Sequence, residues 1–329
     1  LEVARICEEA AEADRLAVVS LDEALLLRAC GIMKPIQVLS FYPLEDEAIS
    51  EALKKKIILP VYSLDQAKLI NKIGERLGLM GVVHLKIDTG TSRVGVLMND
   101  VASFAAEFRK FSHLKLEGLW SHFSSAESDA TVTAGQLCAL EDADETMKKA
   151  GLKAPIRHIA CTSAAILYPD TRLDAARIGL GLYGLYPSAA CQKKIKLRPA
   201  LSLFSTVIQV KKVNKGTKIG YSGTYTMNKA GAIATIPIGY YDGYSRNWGN
   251  KSEVIIGGYR CKIRGRVCMN LMMAEAPIGA KIKAGDSVVL IGRDGEEEIT
   301  VNELARLSSG TINYEITTQI NPLLPRIVV

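Results

Sequence analysis

Four clusters of residues carry side chains suited to acid–base and anion chemistry. The first holds His84, Lys86, Asp88, Arg93 and Gly95. Side chains on a strand alternate faces, so His84, Lys86 and Asp88 point one way and Leu85 and Ile87 the other. A lysine sharing space with Arg93 is repelled by it unless an anion intervenes, and burial lowers a lysine's pKa and frees the amine. On its own, the run is equally an ordinary strand followed by a glycine turn with solvated charges. The second cluster, Trp120, His122 and Glu127, closes the next strand. A histidine there can lie against a flat ring or relay protons, whereas a lone histidine is more often a core residue bonded to backbone.

The third cluster joins His158, Cys161, Thr162 and Ser163 to Arg177, Gly179, Leu180, Gly181 and Gly184. Hydroxyls at one strand end and a glycine turn after the next make a phosphate cradle. Small residues let backbone N–H groups approach the anion, and a helix start adds its positive end. Glycine turns alone are also ordinary loop geometry. The fourth cluster comprises Gly220, Tyr221 and Gly223; Tyr240, Asp242 and Arg246; and Arg266, Cys268, Met269 and Asn270. A tyrosine between glycines is often only a hairpin aromatic, but the ordered set of three is more specific.

The elements that position these clusters follow two regimes. Up to about residue 190, short β-branched runs (17–21, 36–40, 59–63, 82–88, 116–123, 156–161 and 175–180) alternate with helical patterns such as 21–30, 63–77 and 133–150. Such alternation implies a parallel sheet. Seven strands is one short of an eight-stranded barrel, whose C-terminal rim would be the site face. After Pro187 the pattern changes. From about Lys196 the chain is strand-rich, with glycine turns at 215–216, 257–258 and 294–295 and a short helical stretch at 301–307. Two domains are expected, 1–195 and 196–329, the second mostly antiparallel.

Bulk properties narrow the partners. The 329 residues carry a net charge of +6, with basic residues scattered. Without a dense basic block or aromatic interleaving, nucleic acid is not an expected partner, and a small anionic ligand suits the balance better. No apolar run approaches the ~18 residues of a membrane span, and residues 1–16 lack the apolar stretch of a signal peptide. Seven cysteines, an odd number without a Cys-x-x-Cys pair, argue against a metal knuckle or disulfide framework and for a reducing cytoplasm.

In order and spacing, these motifs resemble alanine racemase over almost the whole chain, and Thr311, Tyr314 and Glu315 fit as well. The resemblance implies a (β/α)8 TIM-type barrel that binds pyridoxal 5'-phosphate (PLP), followed by a β domain. It also implies a head-to-tail homodimer whose active sites are shared between subunits. The implied isomerase reaction interconverts L-alanine and D-alanine and supplies D-alanine for bacterial cell-wall peptidoglycan. Within it, Tyr221 is one of two bases and works on the other subunit's site. Arg93 and the Met269 backbone hold the substrate carboxylate. Lys86, carbamylated, orients Arg93. His122 stacks on the cofactor ring and Arg177 bonds the ring nitrogen. Thr162, Gly179 and Leu180 contact the phosphate, and Glu127, Tyr240, Arg246 and Arg266 line the channel to the site. Tyrosine, with an unperturbed pKa near ~10, needs tuning by positive charge to act as a base, and a Tyr221–His122–Arg177 network supplies it.

The resemblance also exposes departures. Residues 1–5 read like the family helix that follows the lysine on which PLP is carried, so that lysine and the first barrel strand are expected to be missing from these 329 residues. The chain as given is then expected to be inactive. Ile320, Asn321 and Pro322 stand where a phosphate-contacting tyrosine is usual, which opens the preference for alanine over serine. Asn270, Thr91 and Cys161 replace a common aspartate, methionine and asparagine. Two alternatives remain beside alanine racemisation: a serine or broad-specificity racemase, and a non-catalytic PLP or amino-acid binding protein. Retention of Tyr221, Arg93, Lys86, His122 and Arg177 together argues against the second, since a sensor need not keep a base and its tuning partners.

Overall fold

Apolar β-branched runs and capped amphipathic segments alternate through the first half of the chain. The computed structural model, which describes residues 1–10 and 13–329, folds them into a parallel sheet with intervening helices. Two units form: Leu1–Leu182 with Tyr186–Lys196, and Tyr183–Leu185 with Leu197–Val329. In the first, α1 (Glu2–Glu9) precedes β1 (Leu16–Ser20), α2 (Leu21–Ala29), β2 (Ile36–Phe41), α3 (Asp46–Lys54), β3 (Ile57–Val61) and α4 (Leu64–Leu77). Then come β4 (Gly81–Asp88), β5 (Val96–Leu97), α5 (Val101–Phe108), β6 (Leu114–Trp120), α6 (Ala130–Lys149), β7 (Ile156–His158), α7 (Thr162–Leu167) and α8 (Ala189–Lys194). The sheet runs β1-β2-β3-β4-β6-β7, with the short β5 paired to β4. Every pairing is parallel.

Local chemistry sets the helix starts. Ser20 and Glu23 form a reciprocal capping box at α2. The Ser63 hydroxyl accepts from Gln66 N at α4, and Asp129 accepts from Thr131 N and Val132 N at α6. Each satisfies amide donors that the first helical turn leaves unpaired. Sheet burial is two-sided: all five residues of β3 are buried, and in β4 Leu85 and Ile87 are as buried as His84 on the opposite face. This is the pattern of a parallel sheet covered on both faces.

Two features depart from simple strand alternation. Residues 175–180, expected as a seventh strand, run beside β7 on single backbone bonds, Asp174 N to Arg157 O and Arg177 N to Ala160 O, and are not a strand. The physical reason lies in Arg177, whose guanidinium takes the Ile159 carbonyl, an acceptor that a neighbouring strand would use. The second departure is a bulge between β4 and β6. Val83 pairs with Leu116 and His84 with Gly118, leaving Glu117 as the extra residue. Beyond the bulge, register aligns Lys86 with Trp120 and Trp120 with His158.

The second unit is an antiparallel β domain. Its strands are β8 (Leu203–Thr206), β9 (Gln209–Val213), β10 (Lys218–Ile219), β11 (Tyr225–Thr226), β12 (Gly231–Ile236), β13 (Glu253–Ile256), β14 (Tyr259–Ile263), β15 (Met272–Ala276), β16 (Ser287–Asp294) and β17 (Glu297–Ile299). Helices α9 (Val301–Arg306) and α10 (Asn313–Thr318) follow. The main sheet runs β17-β16-β13-β14-β15-β12-β9 with β8 on β16, and β10 pairs with β11 separately. Val254, Ile256, Ile263, Met272, Ala274, Val288 and Leu290 are buried. Among the described residues, no helix is long and apolar enough to cross a membrane.

Gly118 lets the His84 ring cross β6, since a Cβ there would lie 2.3 Å from His84 Nδ1. Gly118→Ala is therefore expected to destabilise the first unit by about 1–3 kcal/mol, the usual penalty for overpacking a core. Denaturant unfolding monitored by circular dichroism checks this; an unchanged midpoint would mean the ring is free to move.

Candidate active site

The aligned register places three chemically active side chains in one row across β4, β6 and β7. Lys86, Trp120 and His158 are each almost wholly buried. The His158 ring stacks on Trp120 at 5.6 Å with an interplanar angle of 4°. The Lys86 ammonium lies 4.4 Å from the Trp120 ring centroid and the Arg177 guanidinium carbon 4.9 Å from it. Two cations thus share one aromatic ring, whose quadrupole attracts positive charge.

Arg177 is the hub. Its NH2 donates to Ser121 O (2.8 Å), Ile159 O (3.1 Å) and His122 Nδ1 (3.1 Å). Its NH1 donates to His158 O (3.3 Å) and His158 Nδ1 (2.6 Å). A guanidinium has only donors, so both histidines must present an unprotonated Nδ1. Electrostatics agree. Burial first, then Arg177, Arg93 and Lys86, hold His122 down to about 3. Burial first, then Arg177 and His84, hold His158 well below the ordinary range. Burial, then Arg93 and Arg177, bring Lys86 down to about 8, with Asp88 opposing. Burial lowers even Arg177, to about 10. Among the described residues Lys86 has no carboxylate within ion-pair range. Asp88, the nearest on its strand, spends Oδ1 on the amides of Gly90, Thr91 and Ser92.

That loop carries Arg93 into solvent. It folds back so tightly that a Cβ on Gly95, at φ 146°, would lie 2.4 Å from Asp88 N. On the other side, the buried Thr162 begins α7, and its Oγ1 accepts from Gly179 N (3.2 Å) and Gly181 N (3.3 Å). Leu180 opens a short 3-10 turn, and the space where a Gly179 Cβ would stand is empty. Glu127 accepts from Ser163 Oγ at 2.9 Å, and Cys161 Sγ lies 3.0 Å from the same hydroxyl. The first unit therefore assembles Lys86, Trp120, His122, His158 and Arg177 around one aromatic, with the Thr162 and Gly179 amide–hydroxyl group adjoining the Arg177 segment.

This donor set fits the ring nitrogen, ring face and phosphate of PLP. It offers a cationic donor that keeps its proton, a neutral imidazole, and a small-residue turn open to an anion. The excess of cations over carboxylates matches a ligand carrying phosphate and carboxylate groups.

Within the second unit the remaining candidates gather from three loops. Tyr221 sits 70% exposed at the start of a 3-10 turn, between Gly220 (φ 69°) and Ser222 (φ 61°). A non-glycine residue in that region is uncommon. Arg266 NH1 donates to Ser222 Oγ at 3.3 Å, tying the second loop to the first. Tyr240 N and Tyr241 N donate to Cys268 O and Met269 O at 3.1 and 3.0 Å, tying the third to the second. Arg246 and Met269 are exposed. Asn321 donates through Nδ2 to Tyr241 O and through N to Asp242 O, so its side chain braces the Tyr240 loop.

Sequence reasoning assigned no role to Trp120, His158, His84, Glu117 or Arg15. The signal available was the recurrence of histidine at 84 and 158 with Trp120 between them, but only register shows that they meet.

The N-terminal domain model of alanine racemase matches residues 1–187 and the C-terminal domain model residues 200–328. Alanine racemase of Methanococcus maripaludis is 39% identical over 330 aligned positions, covering 99% of this chain and 87% of that protein. The solved alanine racemase of Clostridium difficile 630 superposes with a TM-score of 0.89 at 37% identity, covering 97% of this chain and 82% of that one. A solved histidine racemase from Leuconostoc mesenteroides gives 0.85 at 26% identity, covering 100% and 94%. With both family domains matched in order and the fold reproduced throughout, this chain belongs to the alanine racemase family.

Proposed function

We propose that the enzyme, in a form that carries the cofactor lysine, performs PLP-dependent racemisation of alanine, as a homodimer in the cytoplasm that supplies D-alanine for peptidoglycan. The observation that carries the reading is Arg177, a guanidinium held by five acceptors beside a neutral histidine and a depressed lysine. PLP, when bound, spreads the charge left behind as the α-proton departs. Arg177 would hold the ring nitrogen as a donor and keep it unprotonated, which restrains side reactions. His122 would lie against the ring. Thr162, Gly179 and Leu180 would hold the phosphate.

The other residues bind substrate and move its proton. Arg93 takes the amino-acid carboxylate, assisted by the Met269 backbone. The neutral amine of Lys86 attacks carbon dioxide, forming an N–C bond and releasing one proton. The resulting carbamate is an anion that balances Arg93. Tyr221 removes or returns the α-proton on one face, in the partner subunit's site, with a lysine serving the other face. Glu127, Tyr240, Arg246 and Arg266 line the channel that admits substrate. The histidine racemase neighbour keeps a rival reading alive, in which this scaffold racemises serine or a broader set of amino acids.

Three outcomes are expected. The 329-residue polypeptide, treated with PLP and borohydride and then peptide-mapped, should show no stoichiometric phosphopyridoxyl-lysine and negligible alanine racemisation. One dominant labelled lysine with full turnover would place the cofactor lysine inside these residues.

Lys86 should take up 13C-labelled carbon dioxide as a carbamate visible by NMR. At fixed dissolved carbon dioxide, occupancy should rise with pH through about 8, as the ammonium loses its proton. A spectrum identical to that of Lys86→Ala would rule the carbamate out.

In a form of the enzyme carrying the cofactor lysine, Tyr221→Phe should slow α-proton exchange by ~10²–10⁴-fold, unequally for the two enantiomers. Mixing it with a variant lacking that lysine should restore activity in some heterodimers. Normal racemisation by Tyr221→Phe would remove the residue from the proton path.

A further inference from the structure

A line of hydrogen bonds leaves Arg177 in the opposite direction from His122 and runs through the sheet. Arg177 NH1 lies 2.6 Å from His158 Nδ1. His158 Nε2 lies 2.9 Å from His84 Nδ1, and His84 Nε2 lies 3.2 Å from Glu117 Oε2. Arg15 NH1 closes the line on the same carboxylate oxygen at 2.9 Å. Both histidines are buried, with His84 at 0% and His158 at 2% exposure.

The protons on this line are determined by its ends. A guanidinium only donates, so His158 Nδ1 must accept and its hydrogen sits on Nε2. That hydrogen points at His84 Nδ1, which must also accept, so the His84 hydrogen sits on Nε2 and points at Glu117. An ionised carboxylate only accepts, so the direction is consistent from end to end. An imidazolium at either ring would set two donors against each other at 2.6 or 2.9 Å. Arg15 NH1 is also 3.4 Å from His84 Nε2, but that nitrogen has no lone pair to offer once it carries hydrogen. The His84 bond, against burial and with help from Arg15, holds Glu117 down to about 2, so the terminal acceptor stays ionised.

Glu117 reaches this position because it is the extra residue of the β4–β6 bulge. Bulges re-aim side chains, are rare in parallel pairs and concentrate beside active sites.

We propose that Glu117 is a positioning residue that sets the direction of hydrogen-bond donation through the sheet, fixing His84 and His158 as neutral Nε2–H rings and so seating the Arg177 guanidinium. Its importance to the reaction rests on the proposed function, but the proton arrangement does not. If the acceptor were lost, Arg15 would be the one group left at His84 Nε2 among the described residues and would donate to it. Both rings would then reverse, and His158 Nδ1–H would face Arg177 NH1, expelling the guanidinium from its seat.

The test is 15N–1H NMR of the histidine-labelled 329-residue chain, tractable because it holds four histidines. Both rings should be Nε2–H tautomers and should stay so from about pH 5 to about pH 8, where an unperturbed ring titrates. Glu117→Leu, which removes the acceptor, should convert both to Nδ1–H and weaken PLP binding, read by cofactor absorbance, about tenfold, the loss of one charged hydrogen bond. Glu117→Gln keeps an acceptor oxygen and should preserve the native tautomers and affinity. A wild-type ring that titrates in that range or carries Nδ1–H would overturn the proposal, even if Glu117→Leu does not fold. So would a folded Glu117→Leu with unchanged tautomers. Tautomers as described in a form that carries the cofactor lysine yet binds no PLP would instead sink the cofactor reading and leave the relay standing.

Discussion

A guanidinium that cannot give up its proton is the fixed point of the first unit. Arg177 needs acceptors on every side, and the sheet supplies them from three places: the Ser121 carbonyl after β6, the His158 and Ile159 carbonyls at the end of β7, and two imidazole nitrogens. Each acceptor is thereby committed. His122 and His158 are held neutral, and the segment carrying Arg177 gives up regular strand pairing. One charged group therefore decides protonation, backbone conformation and sheet order together, which a weaker donor such as lysine would not do.

The same charge explains why the lysine is soft. Lys86 is buried against Trp120 with Arg177 on the same ring and Arg93 beyond the turn, and the carboxylate on its strand, Asp88, is spent on loop amides. Two costs fall on its protonated form, desolvation and like-charge repulsion, and only the aromatic face offsets them. With its pKa brought down to about 8, Lys86 presents an appreciable share of neutral amine near neutral pH, and a site with this imbalance attracts anions. Phosphate, carboxylate and carbamate are three ways of correcting one electrostatic deficit, so the cofactor, substrate and lysine readings are linked through it.

How much of this could be read from the chain depends on the range of the interaction. Strand–helix alternation is local, so β1, β2, β3, β4, β6 and β7 were legible to within a few residues, with α2, α4 and α6, as was the antiparallel character after Lys196. The run at 175–180 was read as a strand because its apolar spacing suits one; what overrode it was the side chain of Arg177 competing for the Ile159 carbonyl, a contact with no trace in periodicity. Glu117 was invisible for a sharper reason. Period-two logic puts it opposite Leu116 and Gly118, and only the bulge turns it toward His84. Residue types with unmistakable chemistry, such as His122 and Arg177, could be nominated from sequence, while the Trp120 platform and the His84–His158 relay needed register.

In the second unit the order of constraint is reversed, and backbone fixes the loops while side chains stay free. A Cβ on Gly239 would lie 2.2 Å from both Cys268 O and Met269 O, one on Gly243 2.5 Å from Gln319 O, and one on Gly265 2.6 Å from Ile219 O. The loops bearing Tyr221, Tyr240 and Met269 are locked to one another and to the residue 319–321 segment through main-chain contacts that only glycine permits. Yet Tyr221, Tyr240, Arg246 and Met269 themselves project from those loops with much of their surface exposed. Such a scaffold tolerates exchange of the projecting side chains without refolding, because little of the packing depends on them. The first unit, where charge, tautomer and backbone are fixed together, has no comparable freedom. Under the proposed function, differences in accepted substrate are most easily made at these exposed loop positions, and differences in proton handling are constrained by the buried line from Arg177 to Glu117.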